Sequence, residues 1–124
     1  MYMSQLGIHL LWMKSFSNLN RLRVGGRQIT NRTIHVCVTG KVQGVAYRAW
    51  MVRIANRLQI KGWVRNRHDG SVEALLQGSS RCVDELLEAC KYGPPAAKVL
   101  AVEYKVARPC ANDGLGNFRQ LPNH

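Results

Sequence analysis

An arginine at position 48 closes the segment Gly40-Lys41-Val42-Gln43-Gly44-Val45-Ala46-Tyr47-Arg48, and an asparagine at position 66 closes Gly62-Trp63-Val64-Arg65-Asn66. A guanidinium is a planar fork suited to phosphate oxygens. Successive backbone N–H groups in a glycine turn converge on one point, and a helix N-terminus adds roughly half a positive charge there. The first segment therefore reads as an anion cradle, with phosphate the natural occupant. The amide of Asn66 is no strong base, yet it can accept a hydrogen bond from a water and hold that water in line. The pair predicts hydrolysis of a phosphorylated compound.

Such a site needs a strand, a turn and a helix start. Ile34, Val36 and Val38 alternate with His35, Cys37 and Thr39, which predicts a half-buried strand ending at Gly40. From Tyr47 the period changes. Tyr47, Met51, Ile54 and Leu58 recur at helical spacing, while Arg53, Asn56, Arg57 and Lys61 fall on the other side, giving an amphipathic helix that should end near Gln59. Gly62 to Arg65 and Ser71 to Leu76 read as two strands joined by a hairpin at Asp69-Gly70. Ser79 or Ser80 can cap a second helix with Asp84 and Glu85 in its first turn and Val83, Leu86, Leu87 and Cys90 on its apolar stripe. Gly93, Pro94 and Pro95 end it. Leu100, Val102, Tyr104 and Val106 alternate as a fourth strand, and Phe118 to Leu121 offers an edge strand after an Asp113-Gly114 loop. The order βαββαβ predicts an α+β ferredoxin-like sandwich, an antiparallel sheet with two helices on one face.

A chain of 124 residues with 46% hydrophobic content has room for one domain. Residues 1–32 read as a basic, disordered N-terminal extension and residues 33–124 as the domain. Lys and Arg total 18 against 7 Asp and Glu, and the formal charge of +11 favours anionic partners. Asp69 is the first acid and twelve basic residues precede it, so the excess lies in the first half. Cys37, Cys82, Cys90 and Cys110 form no C-x-x-C pair and no zinc spacing with His9, His35, His68 or His124. Free thiols, no metal and a reducing compartment are expected. The apolar run from Leu6 to Met13 is too short for a membrane span and lacks the flanks of a secretory signal. A cytoplasmic protein is the expectation, although Lys14, Arg21, Arg23, Arg27 and Arg32 without an acid also suit an organelle transit sequence.

Gly40-x-Val42-Gln43-Gly44-Val45-x-Tyr47-Arg48, followed by Gly62-Trp63-Val64-Arg65-Asn66-x-x-x-Gly70-x-Val72 and Gly78, resembles both signature motifs of the acylphosphatase family in their order. The resemblance runs from about Thr33 to the C-terminus and includes Gly93-Pro94, Ala97 and Val99. It implies a small, cofactor-free and metal-independent hydrolase that acts on the carboxyl-phosphate anhydride of acyl phosphates and releases inorganic phosphate; a monomer is expected. It also implies that the loop amides of Gln43, Gly44, Val45, Ala46 and Tyr47, together with Arg48, hold the phosphate while Asn66 orients the attacking water. Tyr47 stands where Phe is frequent, and the ending Phe118-Arg119-Gln120-Leu121-Pro122 departs from the family's aromatic or basic one, which bears on stability more than on chemistry. The chemistry is consistent on physical grounds. A carboxylate leaving group, with a conjugate-acid pKa of about 4, departs without a proton donor.

Two other functions compete. A basic ferredoxin-like domain is also the architecture of an RNA-binding module, but Lys61-Gly62-Trp63-Val64-Arg65-Asn66 breaks the aromatic strand pattern such a module needs after its third position. A catalytically idle domain that keeps the cradle for anion sensing is the other. Neither a membrane nor a nucleic-acid partner is expected. His68 and Asp69 read as hairpin-tip residues rather than an acid–base pair, and Gln43 directs its side chain to solvent while contributing its backbone amide.

Overall fold

The computed structural model describes residues 30–109 and 117–124. The expected extension up to residue 29, Cys110 and the Asp113-Gly114 loop lie outside the described residues. Among those described, strand β1 (Asn31–Lys41), helix α1 (Tyr47–Arg57), strands β2 (Lys61–Asn66) and β3 (Val72–Ser79), helix α2 (Ser80–Cys90) and strands β4 (Lys98–Val106) and β5 (Arg119–Gln120) follow in that order. The sheet runs β4-β1-β3-β2-β5. Its first four strands pair antiparallel, and β5 joins β2 in parallel. This is the ferredoxin-like α+β sandwich with a short fifth strand at the edge.

Register explains the two faces. Ile34 pairs with Leu76, Val36 with Ala74 and Val38 with Val72. All six are buried, and they meet Met51 and Ala55 of α1 and Val83, Leu86 and Cys90 of α2 in one core. Ser79 caps α2, its hydroxyl accepting from the Cys82 N–H at 3.3 Å. The burial pattern of α1 differs from the expected one. Tyr47, Met51 and Ala55 are its buried residues, whereas Ile54 and Leu58 are only partly buried, and the helix ends at Arg57. Gln59 follows with φ of 59°, the left-handed turn that closes the helix.

Two sequence boundaries move. The first strand starts at Asn31, and Arg32 forms an ion pair with Asp84 of α2, so the last two residues of the expected extension belong to the sheet. It also continues through Gly40 to Lys41, with a register shift against β4 between Thr39 and Gly40. The alternation in β4 gives a strand but not a buried face. Leu100, Tyr104 and Val106 are 84%, 55% and 82% exposed, because α2 packs mainly over β3 and β1 and α1 over β2 and β5, leaving β4 at the edge beyond both.

On the other face, Glu73 is buried at the centre of a polar cluster. Its carboxylate accepts from Arg65 Nε at 2.7 Å and lies 2.6 Å from His35 Nε2. Arg65 in turn sits 4.8 Å from the centre of the Trp63 ring. Burial works against the ionised carboxylate, but the bonds from Arg65 and His35 outweigh it and hold Glu73 below its ordinary 4.5. A carboxyl depressed on folding contributes stability that is fully present above its unfolded pKa and is lost as pH falls through the folded one. The melting temperature should therefore drop as pH falls below about 4.5. Glu73→Gln should flatten that drop and cost about 1–3 kcal/mol at neutral pH, which thermal melts across pH will measure.

Gly62 fixes how the second motif packs. Its φ is 134°, and a Cβ there would overlap the Leu75 carbonyl of the paired strand and lie 3.4 Å from the Phe118 ring. The pairing of β2 with β3 cannot give way without losing ladder hydrogen bonds. Gly62→Ala should destabilise the fold by about 2–3 kcal/mol in denaturant titrations.

Candidate active site

The turn between β1 and α1 is built from left-handed residues. Gly44 has φ of 74° and Ala46 has φ of 66° and ψ of 25°. Around Val45, whose side chain packs against the core, they curl the backbone into the start of the helix. A Cβ on Gly44 would meet nothing within 4 Å, so the requirement there is conformational rather than steric. Ala46 is the helix N-cap, and it is a poor one. An N-cap usually offers a side-chain oxygen from an extended backbone. Ala46 has none, no acid stands in the first turn of α1, and the first bond into the helix is Trp50 N–H to Ala46 C=O at 3.0 Å. A non-glycine residue held left-handed costs about 1–3 kcal/mol. The first amides of α1 lack a side-chain cap.

Gly44, Ala46, Tyr47, Arg48 and Asn66 line one cavity of about 140 Å³, with Val42, Ala49 and Gln120 completing its wall. Five of the residues expected at the site thus come together. Gln43 and Val45 are not on the wall, although both belong to the turn that shapes it. The Gln43 side chain does not point to solvent. Its Nε2 donates to the carbonyls of Arg67 and Ser71 at 2.8 and 2.9 Å, tying the turn to the β2–β3 hairpin and so to the strand that carries Asn66.

Tyr47 lines the cavity, but its hydroxyl is engaged elsewhere. The ring is buried, its hydroxyl donates to the Cys90 carbonyl at 2.6 Å, and burial holds the phenol protonated far above its ordinary range. Burial likewise pushes the Cys90 thiol up to about 12, leaving it an inert packing group. Arg48 is partly exposed, and its Nη1 donates to Asn123 Oδ1 at 3.0 Å. Asn66, the last residue of β2, is buried, and its backbone carbonyl accepts from His124 N–H at 2.9 Å. Asp69 accepts from the Ser71 N–H and hydroxyl at 2.9 and 2.6 Å, an Asx turn that lowers its pKa. His68 and Asp69 are hairpin-tip residues, as expected from the sequence.

Gln120 on the cavity wall and Asn123 beside Arg48 were not anticipated from sequence. The parallel pairing of Val64 with Gln120 brings them there. The sequence signal for them is the short Phe118 to Leu121 segment, which marks a strand but not its partner.

These features define a small ferredoxin-like α+β domain in which a helix start without a side-chain cap, an arginine and a buried asparagine share one pocket. The chain belongs to the acylphosphatase family, whose model, described as Acylphosphatase, matches residues 34–118. It is 53% identical over 92 residues to an acylphosphatase of Rhodospirillum rubrum, covering 74% of this chain and 98% of that protein. To an acylphosphatase of Acidiphilium cryptum it is 50% identical over 80 residues, 64% of this chain and 88% of that one. The crystal structure of acylphosphatase from Bacillus subtilis superposes with a TM-score of 0.68 at 32% identity, over 74% of this chain and 99% of the other. The protein is accordingly an enzyme, a hydrolase of that family.

Proposed function

We propose that this enzyme hydrolyses the carboxyl-phosphate anhydride of acyl phosphates to a carboxylate and inorganic phosphate, with Arg48 and the loop amides of residues 43–48 holding the phosphate and Asn66 positioning the water. The observation that carries this is the shared cavity: the strained turn at Gly44 and Ala46, the uncapped start of α1, Arg48 and Asn66 all converge on it. The water oxygen forms a bond to phosphorus as the bond from phosphorus to the carboxyl oxygen breaks. The electron pair leaves with the carboxylate, and the water's proton passes to solvent. Phosphoryl transfer of this kind is mostly positioning and stabilisation of the equatorial oxygens, which amides and a guanidinium supply. No general acid is required, because the leaving group is a carboxylate.

The partners that follow are small acyl phosphates and inorganic phosphate. Support for leaving out nucleic acid comes from the open face, where His35 and Arg65 are engaged with Glu73 rather than standing free for bases. A cytoplasmic site of action is part of the proposal; among the described residues Cys37, Cys82 and Cys90 are free cysteines. No helix among the described residues is long and apolar enough to cross a membrane.

The test is hydrolysis of a simple acyl phosphate beside an alkyl phosphate monoester. The acyl compound should turn over and the monoester should not. Equal turnover, or none of either, overturns the reading. Chelator treatment should leave the rate unchanged and inorganic phosphate should inhibit competitively, since the proposed ligands are amides and a guanidinium. Loss of activity with a chelator, restored by a divalent metal, would contradict the ligand set.

A further inference from the structure

The residues after β5 do not leave the domain. They continue along β2 towards the site. Leu121 N–H donates to the Val64 carbonyl at 2.8 Å, His124 N–H to the Asn66 carbonyl at 2.9 Å, and the His124 carbonyl accepts from His68 N–H at 2.9 Å. At the near end Phe118 is buried, and its N–H donates to Asn56 Oδ1 of α1 at 2.9 Å. The segment is therefore held at both ends, against α1 at Phe118 and against the hairpin at His124. Pro122 narrows the backbone between them and biases Leu121 towards an extended conformation. What this strap presents at its far end is Asn123, whose Oδ1 accepts from Arg48 Nη1 at 3.0 Å.

We infer that Asn123 is a positioning residue for Arg48, holding one arm of the guanidinium so that its remaining N–H groups face the phosphate. This role rests on the proposed reading of Arg48 as the phosphate ligand. The physical case is one of freedom. Arg48 is partly exposed, and a long side chain at such a site samples many rotamers, each of which must be given up on binding an anion. Among the described residues, Arg48 spends its side-chain hydrogen bond on Asn123. A guanidinium carries five N–H donors in a fixed fork, so committing one at Nη1 orients the others without consuming them. A neutral acceptor suits this position. A carboxylate there would hold Arg48 more strongly, but it would also set a negative charge beside the anion. His124, the next residue of the same strap, donates its N–H to the Asn66 carbonyl, so one segment touches both proposed site residues.

The test is a double-mutant cycle read in kcat/KM for an acyl phosphate and in inhibition by inorganic phosphate. Asn123→Ala should lower kcat/KM roughly threefold to tenfold, the value of one exposed bond to a charged donor. It should weaken phosphate inhibition by a similar factor while leaving the melting temperature close to wild type. In an Arg48→Lys background, where the ammonium cannot reproduce the fork, Asn123→Ala should cost little more. An equal loss in both backgrounds makes the strap merely structural and overturns the inference, as does no loss beside Arg48. Full activity in Arg48→Lys and Arg48→Ala would instead overturn the reading of Arg48 itself, which separates the two failures. A second readout does not depend on turnover. Nitrogen NMR of the Arg48 side chain should show restricted guanidinium rotation in the wild type and free rotation in Asn123→Ala. Free rotation in both overturns the inference.

Discussion

Arg48→Ala should lower kcat/KM by about 10³-fold or more, as removal of a phosphate-facing arginine does in other phosphoryl transfers. Arg48 lines the cavity beside the start of α1, where the backbone amides supply partial charges but no formal one. The phosphate is negative both in the bound substrate and at the transition state. Loss of the guanidinium should therefore weaken competitive inhibition by inorganic phosphate as well as turnover. Arg48→Lys should recover little, because a point charge on a flexible stem does not reproduce two parallel N–H bonds. Steady-state kinetics and phosphate inhibition measured together on folded variants check both halves. A variant that loses binding but keeps kcat would reassign Arg48 to ground-state binding alone.

Asn66→Ala should behave differently. A fall in kcat of roughly 10²-fold to 10³-fold is expected, by analogy with loss of one preorganised donor, while phosphate inhibition stays close to that of the wild type. The reason is that a water positioned by Asn66, as proposed, would matter only on the way to the transition state. Its position makes the comparison clean. Asn66 is the last residue of β2, and its carbonyl is fixed by His124 N–H rather than by its side chain, so truncation should leave the backbone in place. If Asn66→Ala keeps near-normal turnover, the residue is only a strand end, and the water-positioning mechanism fails.

The elements that place these two residues were readable where one physical cause acted alone. Alternation at Ile34, Val36 and Val38 gave β1, and the four-residue spacing of Tyr47 and Met51 gave α1, because burial on one face decides both. The convergence of the glycine turn on Arg48 was readable because left-handed residues and helix starts have local signatures. What required three dimensions was pairing. Leu100, Tyr104 and Val106 alternate as a buried strand would, yet nothing local says that β4 lies at a sheet edge beyond the helices. That β1 begins at Asn31, ahead of the alternation from Ile34, depends on the pairing of Asn31 with Ser79 and of Arg32 with Gly78, and on the ion pair to Asp84. The same limit hid Gln120 and Asn123. Their place at the site follows from a parallel contact with β2, more than fifty residues away in sequence. The Gln43 carboxamide departs from its expected solvent position for a related reason, since its acceptors are carbonyls of a hairpin that closes only in the fold.

With the phosphate seated in the cradle as proposed, water should attack phosphorus rather than the acyl carbon. Hydrolysis of an acyl phosphate in water enriched in heavy oxygen tests it most directly, with mass spectrometry of both products after a single turnover. Label in the inorganic phosphate and none in the carboxylate is the predicted result, and label in the carboxylate would contradict it.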